Sequence, residues 1–176
     1  MKSINILNKK RIRAIGLNSG TSADGLDLAA VEIDFSSRLP RIRFIAGKAI
    51  PFSRELFPEI RKAIHDKINN MDDIIKLDRR LGSFFGREAA KFNSSLRKKG
   101  FITDIVGSHG QTVRHLPGGI IIGAKKVSGT MQLGHPETIA RATGLMTVAD
   151  FRQADIAAGG EGAPITAYPM NLIFGG

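Results

Sequence analysis

Cysteine and tryptophan are absent from these 176 residues, and tyrosine occurs once. Without cysteine there is no disulfide scaffold and no thiolate metal ligand, a composition consistent with a cytoplasmic protein. Without tryptophan, and with one tyrosine, there is no aromatic platform on which nucleobases would stack. The formal net charge of +10 is therefore not read as a nucleic-acid signal. Much of the excess sits at ends and turns, in Lys9, Lys10, Arg11 and Arg13, in Arg97-Lys98-Lys99 and in Lys125-Lys126. What it leaves is a general attraction to phosphate-bearing ligands. No run approaches membrane-spanning length. Residues 1–12 read as a basic amino-terminal extension that lacks the continuous apolar segment of a signal peptide. Neither nucleic acid nor a membrane is expected as a partner.

What is present is the composition of a soluble globular chain, 42% hydrophobic and 24% charged, long enough for one good core or two small ones. The most informative stretch runs from Ala14 to Val31. An apolar run leads into Asn18-Ser19-Gly20-Thr21-Ser22-Ala23-Asp24-Gly25, and a second apolar run leads out. The pattern predicts a hairpin whose tip meets an anion. Gly20 and Gly25 are expected to take positive φ and let the backbone approach a ligand. The hydroxyls of Ser19, Thr21 and Ser22 and the exposed N–H groups suit phosphate oxygens. Asp24 and Asp27 suit a hard cation such as Mg²⁺. An ordinary polar hairpin loop is the plainer alternative.

Along the chain, residues 13–19 and 26–35 read as paired strands, and Pro40 to Pro51 as a third, with Ile42, Phe44 and Ala46 on one face. Ser53 caps an expected helix over 54–68. A longer helix follows Asn70, striped by Ile74, Leu77, Leu81, Phe84, Phe85, Phe92 and Leu96 and stopped by Gly100. Gly82 and Gly86 inside it are costly unless another backbone packs close there. A short strand, Asp104–Val106, runs into a polar loop over 107–115. Pro117 to Gly129 reads as a flexible hairpin or loop, Thr130–Leu133 as a strand, Pro136–Thr143 as a helix ending at Gly144, and Leu145–Ala149 as a strand. A Gly-rich polar loop over 150–162 follows, and Pro164 is expected to open a last helix at its first position. Three antiparallel strands followed by alternating helices and strands predict an α/β protein, a mixed sheet with flanking helices.

Three glycine-rich polar segments follow predicted strands: 18–25, 107–115 and 150–162. Ligands in such sheets sit at strand ends. The second offers Ser108, His109, Gln111, Thr112 and Arg114, a donor set suited to a polyhydroxylated ligand such as a sugar. The third carries Asp150, Arg152 and Asp155. A carboxylate there suits a general base, and Arg152 suits orienting Asp150 or binding a substrate carboxylate. Helix capping is the plainer role for Asp150. There is no nucleotide P-loop of the G-x-x-x-x-G-K-[ST] type, no dinucleotide fingerprint, and no metalloprotease spacing among His109, His115 and His135.

Taken in order, Gly16 to Asp27, Gly107 to His115, Gln132-Leu133-Gly134, Ala149-Asp150-Phe151-Arg152 and Asp155 to Pro164 resemble the signatures of the anhydro-N-acetylmuramic acid kinase family, collinear from about residue 14 to residue 165. The resemblance implies the actin-like, sugar kinase and Hsp70 ATPase fold, which is ribonuclease H-like. It implies ATP and Mg²⁺ as cofactors and a reaction in which 1,6-anhydro-N-acetylmuramic acid is opened by water and phosphorylated on O6. On that resemblance Gly20, Thr21, Ser22, Ala23, Asp24, Gly25, Leu26 and Asp27 form the ATP phosphate loop, with Mg²⁺ near Asp24. Asp155 is the expected water-activating base, with Asp150 the next choice. His109, Gln111, Thr112 and Arg152 are expected to line the sugar. Asn18 replaces the family's usual Met, His135 its usual Asn or Asp, and the loop from Gly118 to Gly129 is longer than usual. The chain ends near the middle of the family's usual length, so residues 13–176 correspond to a first lobe. A second lobe, or a complementary chain, is expected to supply the adenosine pocket, and the apolar face left open is expected to favour self-association. The alternative is a non-catalytic module of the same fold that binds a sugar or a partner. The presence of Asp24, Asp27, Asp150 and Asp155 together favours the kinase.

Overall fold

The chain folds as a mixed β-sheet with helices packed on it. The computed structural model describes residues 6–174. After a short 3₁₀ turn at Ile6–Asn8, strands β1 (Arg11–Ser19), β2 (Gly25–Asp34) and β3 (Arg41–Pro51) form an antiparallel meander. Helices α1 (Leu56–Ile64) and α2 (Met71–Lys98) follow, then β4 (Ile105–Ile122), β5 (Lys125–Leu133), α3 (Pro136–Thr143), β6 (Met146–Val148), α4 (Phe151–Ala157) and α5 (Ala167–Phe174). The sheet order is β3-β2-β1-β4-β5, with β6 also paired to β4. β4 is the pivot. At Ile105–Gly107 it runs parallel to both β1 and β6, and from Gln111 onward it pairs antiparallel with β5.

Register explains which face is buried. Ile15 sits opposite Ala30 and Val106, and all three are fully enclosed. Directly opposed residues share a face of the sheet. α2 covers that face with Leu77, Leu81, Phe85, Ala89 and Leu96, a stripe at helical spacing. The Asn70 side chain accepts from Asp73 N–H at 3.0 Å, and Gly100 ends the helix at φ +79°. α3 docks on α2 where glycines admit it: a Cβ at Gly82 would stand 2.9 Å from the backbone of His135. The costly mid-helix glycine thus makes the close crossing that the sequence reading required. On the other face Phe44, Val31, Ala14, Ile105 and Met146 lie in one row, with Phe44 and Met146 exposed.

Three segments differ from the sequence reading. Residues 107–115 are strand, not loop; their polar composition hides a backbone paired with β1 at Gly107, Ser108 and Gln111, with β6 at Gly107 and with β5 from Gln111 onward. Of the two forms expected for Pro117–Gly129 it is the hairpin that forms, between β4 and β5, with a register shift between Leu116 and Ile120 that accommodates the proline. α4 interrupts the expected 150–162 loop. The last helix starts at Ala167, so Pro164 does not open it. In addition, β1 begins at Arg11, which draws the end of the basic extension into the sheet.

Gly25 and Gly20 also differ from expectation, since neither takes positive φ; the left-handed residue of this hairpin is Ala23, at φ 55°. Gly25 is small because β3 crosses it: a Cβ there would lie 2.4 Å from the Ile50 carbonyl oxygen. Gly25→Ala is therefore expected to destabilise the fold by about 1–3 kcal/mol through overpacking against a backbone that cannot yield. Chemical denaturation of the variant measures this, and an unchanged midpoint would remove the steric account.

Candidate active site

The sites expected from sequence meet at one end of the sheet. β1 and β2 pair up to Asn18 opposite Asp27, and residues 20–24 form the tip between them. Thr21, Ser22, Asp24 and Asp27 are exposed, whereas Ala23 and Leu26 are buried. The Ser22 hydroxyl donates to Asp24 Oδ1 at 2.8 Å, which holds the carboxylate over the turn. A Cβ at Gly20 would meet nothing within 4 Å, so the tip has open space above it on the solvent side.

β4 ties this tip to the rest of the site. Its register against β1 shifts between Leu17 and Ser19, where Gly110 adopts φ +75°, a conformation open to glycine. Just beyond, Gln111 is fully buried. Its amide Nε2 donates to Gly20 O and Thr112 O, each at 2.9 Å, and its Oε1 faces the Ser19 hydroxyl at 2.6 Å. Thr112 is also buried. Both were expected against the sugar; in the structure they are enclosed within the sheet, with the Gln111 carboxamide fully occupied by protein groups.

The third segment reaches β4 through Arg152. Its Nε donates to His109 Nε2 at 2.8 Å, and its Nη1 donates to Gly162 O at 2.9 Å. Because a guanidinium only donates, Nε2 of His109 accepts and Nδ1 carries the proton, facing Gly110 O at 3.0 Å. Burial holds the His109 pKa below the usual histidine value and the Arg152 charge adds to this, against the Gly110 and Ser19 backbone contacts. His109 is thus a neutral ring that orients Arg152. The sign of the pH dependence follows. Above the unfolded-state value near 6.5 the ring is neutral whether folded or not, and below it only the unfolded chain binds the proton readily. The thermal midpoint is expected to fall as pH drops below that value, and less steeply in His109→Gln. Parallel pH profiles of the two proteins would contradict this.

The two aspartates differ. Asp155 Oδ2 accepts from Gly162 N–H at 2.8 Å, and a Cβ at Gly160 would lie 2.2 Å from that same oxygen. The turn after α4 is folded around the Asp155 carboxylate. Asp150 is exposed, sits at the N-cap position of α4 in the left-handed conformation at φ 61°, and its side chain makes no capping hydrogen bond. The capping alternative therefore does not account for it. Asp150 lines a small cavity of about 30 Å³ together with Asp78, Ser108, His109, Gln132 and Gly134. The Ser108 hydroxyl and Gln132 Oε1 are buried without a partner among the described residues. Asp78 escaped the sequence reading: it follows Leu77 on α2 like any surface carboxylate. Only the fold brings its Oδ1 to Gly134 N–H, at 2.7 Å. His135 caps α3, since its Nδ1 accepts from Thr138 N–H at 3.4 Å.

A roomier groove of about 560 Å³ between α1 and α2, lined by residues such as Lys62, Ile68 and Ile75, shares no residue with this cavity. Among the described residues no helix is long and apolar enough to cross a membrane.

Comparison with known proteins agrees with the order of these segments. The family described as Anhydro-N-acetylmuramic acid kinase matches residues 12–175. The chain is 35% identical to the enzyme of that name from Caldanaerobacter subterraneus subsp. tengcongensis, over 97% of this chain and 43% of the relative. It is 36% identical to that of Salinibacter ruber, over 94% of this chain and 42% of the relative, and 40% identical to that of Shewanella denitrificans, over 91% and 40%. The chain thus spans about two-fifths of the length of these relatives. With a match running through the β1–β2 tip, β4 and the segment after β6, this chain belongs to the anhydro-N-acetylmuramic acid kinase family.

Proposed function

We propose that this chain is the amino-terminal lobe of an actin-like sugar kinase. In the complete enzyme it would open 1,6-anhydro-N-acetylmuramic acid with water and transfer the ATP γ-phosphoryl group to O6, giving N-acetylmuramic acid 6-phosphate for the reuse of cell-wall sugars. The observation that carries the reading is convergence: hydrogen bonds join the hairpin tip to β4 through Gln111, and β4 to the segment after β6 through Arg152. The antiparallel meander followed by β4 and β6, parallel to one another, supports the actin-like assignment.

Phosphoryl transfer needs positioning and charge neutralisation more than covalent chemistry. In this reading the tip 20–25 receives the phosphates through Thr21, Ser22 and backbone N–H groups. Among the described residues no group of three or more acidic or histidine side chains forms a metal cage. One exposed aspartate, Asp24, fits Mg²⁺, which is usually held by one or two carboxylates plus phosphate oxygens and water. When bound there, the metal would neutralise charge on the phosphates. At the sugar, a water oxygen bonds to the anomeric carbon as the carbon's bond to O6 breaks. O6 bonds to the γ-phosphorus as the bond to the departing ADP oxygen breaks, and the water's proton passes to a carboxylate. Within this chain we assign that carboxylate to Asp150, whose side chain the protein leaves uncommitted, and give Asp155 the task of shaping the turn at Gly162. Arg152, oriented by His109, would hold a polar group of the sugar.

The test is reconstitution. This chain is mixed with, or fused to, the carboxy-terminal lobe of one of its relatives and supplied with MgATP and the anhydro sugar. The expected product is the ring-opened sugar bearing phosphate on O6, identified by mass and NMR. Sugar binding with ATP left intact would instead establish the non-catalytic module.

A further inference from the structure

We propose that Gln111 is a positioning residue for the nucleotide: it turns the Gly20–Thr21 peptide so that the Thr21 N–H faces outward, where a phosphate oxygen would meet it. This rests on the reading of residues 20–27 as the phosphate loop. The orientation of the Gln111 amide is dictated by its neighbours. Two carbonyl oxygens, Gly20 O and Thr112 O, lie at 2.9 Å from one end of it. Only the NH₂ end can satisfy two acceptors, so Oε1 must face Ser19. The Ser19 hydroxyl has one proton and two acceptors in reach, Oε1 at 2.6 Å and Gly25 O at 2.7 Å, so the buried amide, the serine and both ends of the hairpin tip form one network.

The consequence lies in the peptide plane. A trans peptide holds its C=O and N–H on opposite sides. Gly20 O points inward to Gln111 Nε2 and also accepts from Ala23 N–H at 3.1 Å. The following N–H, that of Thr21, is therefore directed away from the sheet. Thr21 is exposed, and its N–H donates to no group among the described residues. Gln111 lies two residues from His109 on the same strand, so the strand that orients Arg152 also sets the donor direction in the nucleotide loop. A side chain expected to touch the sugar instead carries order from the sugar strand to the phosphate loop.

Nuclear magnetic resonance on the ¹⁵N-labelled chain tests this. In the wild type Thr21 N–H is expected to exchange rapidly with solvent while Ala23 N–H is slowed by its bond to Gly20 O. A protected Thr21 N–H would overturn the proposal without any variant. Gln111→Met keeps the length of the side chain and removes both donors. It is expected to change the residual dipolar coupling of Thr21 and to weaken MgATP binding by about tenfold, with affinity for the anhydro sugar unchanged. Gln111→Glu, which sets a carboxylate against two carbonyl oxygens, should do the same. Equal weakening of both ligands, or an unchanged Thr21 coupling, would reduce Gln111 to a structural role and overturn the proposal. Should MgATP bind neither the wild-type chain nor the chain joined to a relative's carboxy-terminal lobe, the phosphate-loop reading fails, and the dipolar couplings still decide the peptide orientation.

Discussion

Gly20→Val is expected to leave the fold intact and to remove nucleotide binding. A Cβ at Gly20 meets no protein atom within 4 Å outside its chain neighbours, and its backbone is not left-handed, so the substitution is expected to fit the folded chain. Gly20 is half-buried, and with open space at its Cβ the cost is expected to stay within about 0.5 kcal/mol, which moves the thermal midpoint of a chain this size by about 2 °C at most. The added isopropyl group would occupy the space above the tip, where the phosphates are proposed to lie. MgATP affinity is expected to drop by about 100-fold or more, equivalent to about 2.7 kcal/mol. Calorimetric titration and a melting curve on the same sample read both effects. The contrast with Gly25 sharpens the test, because a Cβ at Gly25 strikes the Ile50 carbonyl and harms folding directly. If Gly20→Val bound MgATP as well as the parent chain does, the loop would not be the phosphate site.

The second large effect concerns the aspartates of the segment after β6. In the reconstituted kinase, Asp150→Asn is expected to lower turnover by about 10²–10⁴-fold, the usual contribution of a positioned base. Asparagine also tolerates the left-handed backbone found at Asp150, so the change isolates the charge. Asp155→Asn keeps an oxygen able to accept from Gly162 N–H and is expected to retain most of the turnover. Asp155→Ala loses that acceptor and should loosen the 159–162 turn. Steady-state rates at saturating sugar and MgATP decide between the two residues. Collapse of activity in Asp155→Asn alone would restore it as the base, and full turnover in both variants would move the base to the second lobe.

The parts of this arrangement that periodicity encodes were legible in the sequence. The β1–β2 hairpin, the α2 stripe from Leu77 to Leu96 and the α3 boundaries at Pro136 and Gly144 all follow from spacing and capping chemistry. β4 was not legible beyond Val106, because Gly107, Ser108, His109, Gly110 and Gln111 have the composition of a loop. They are held extended by β1, with β6 at Gly107 and β5 at Gln111 as further partners. Tertiary pairing overrode local preference there. The same blindness explains Gln111: a glutamine among donors suggests a ligand contact, and only the fold brings Gly20 O, Thr112 O and Ser19 around it. Gly25 had the opposite fate. It was read as room for a ligand, and the strand opposite it takes that room. The proposal of Asp150 over Asp155 rests on the Gly162 N–H that Asp155 accepts, a contact with no signature in spacing.

The convergence of the three segments on one ligand site is tested most directly by mapping both ligands onto the chain through its backbone amide resonances. MgATP is predicted to shift the amides of residues 20–25, and 1,6-anhydro-N-acetylmuramic acid those of residues 108–110, 132–134 and 150–153, with the Gly20–Gln111 connection responding to both. Shifts concentrated in the groove between α1 and α2, with the hairpin tip and β4 silent, would contradict the account.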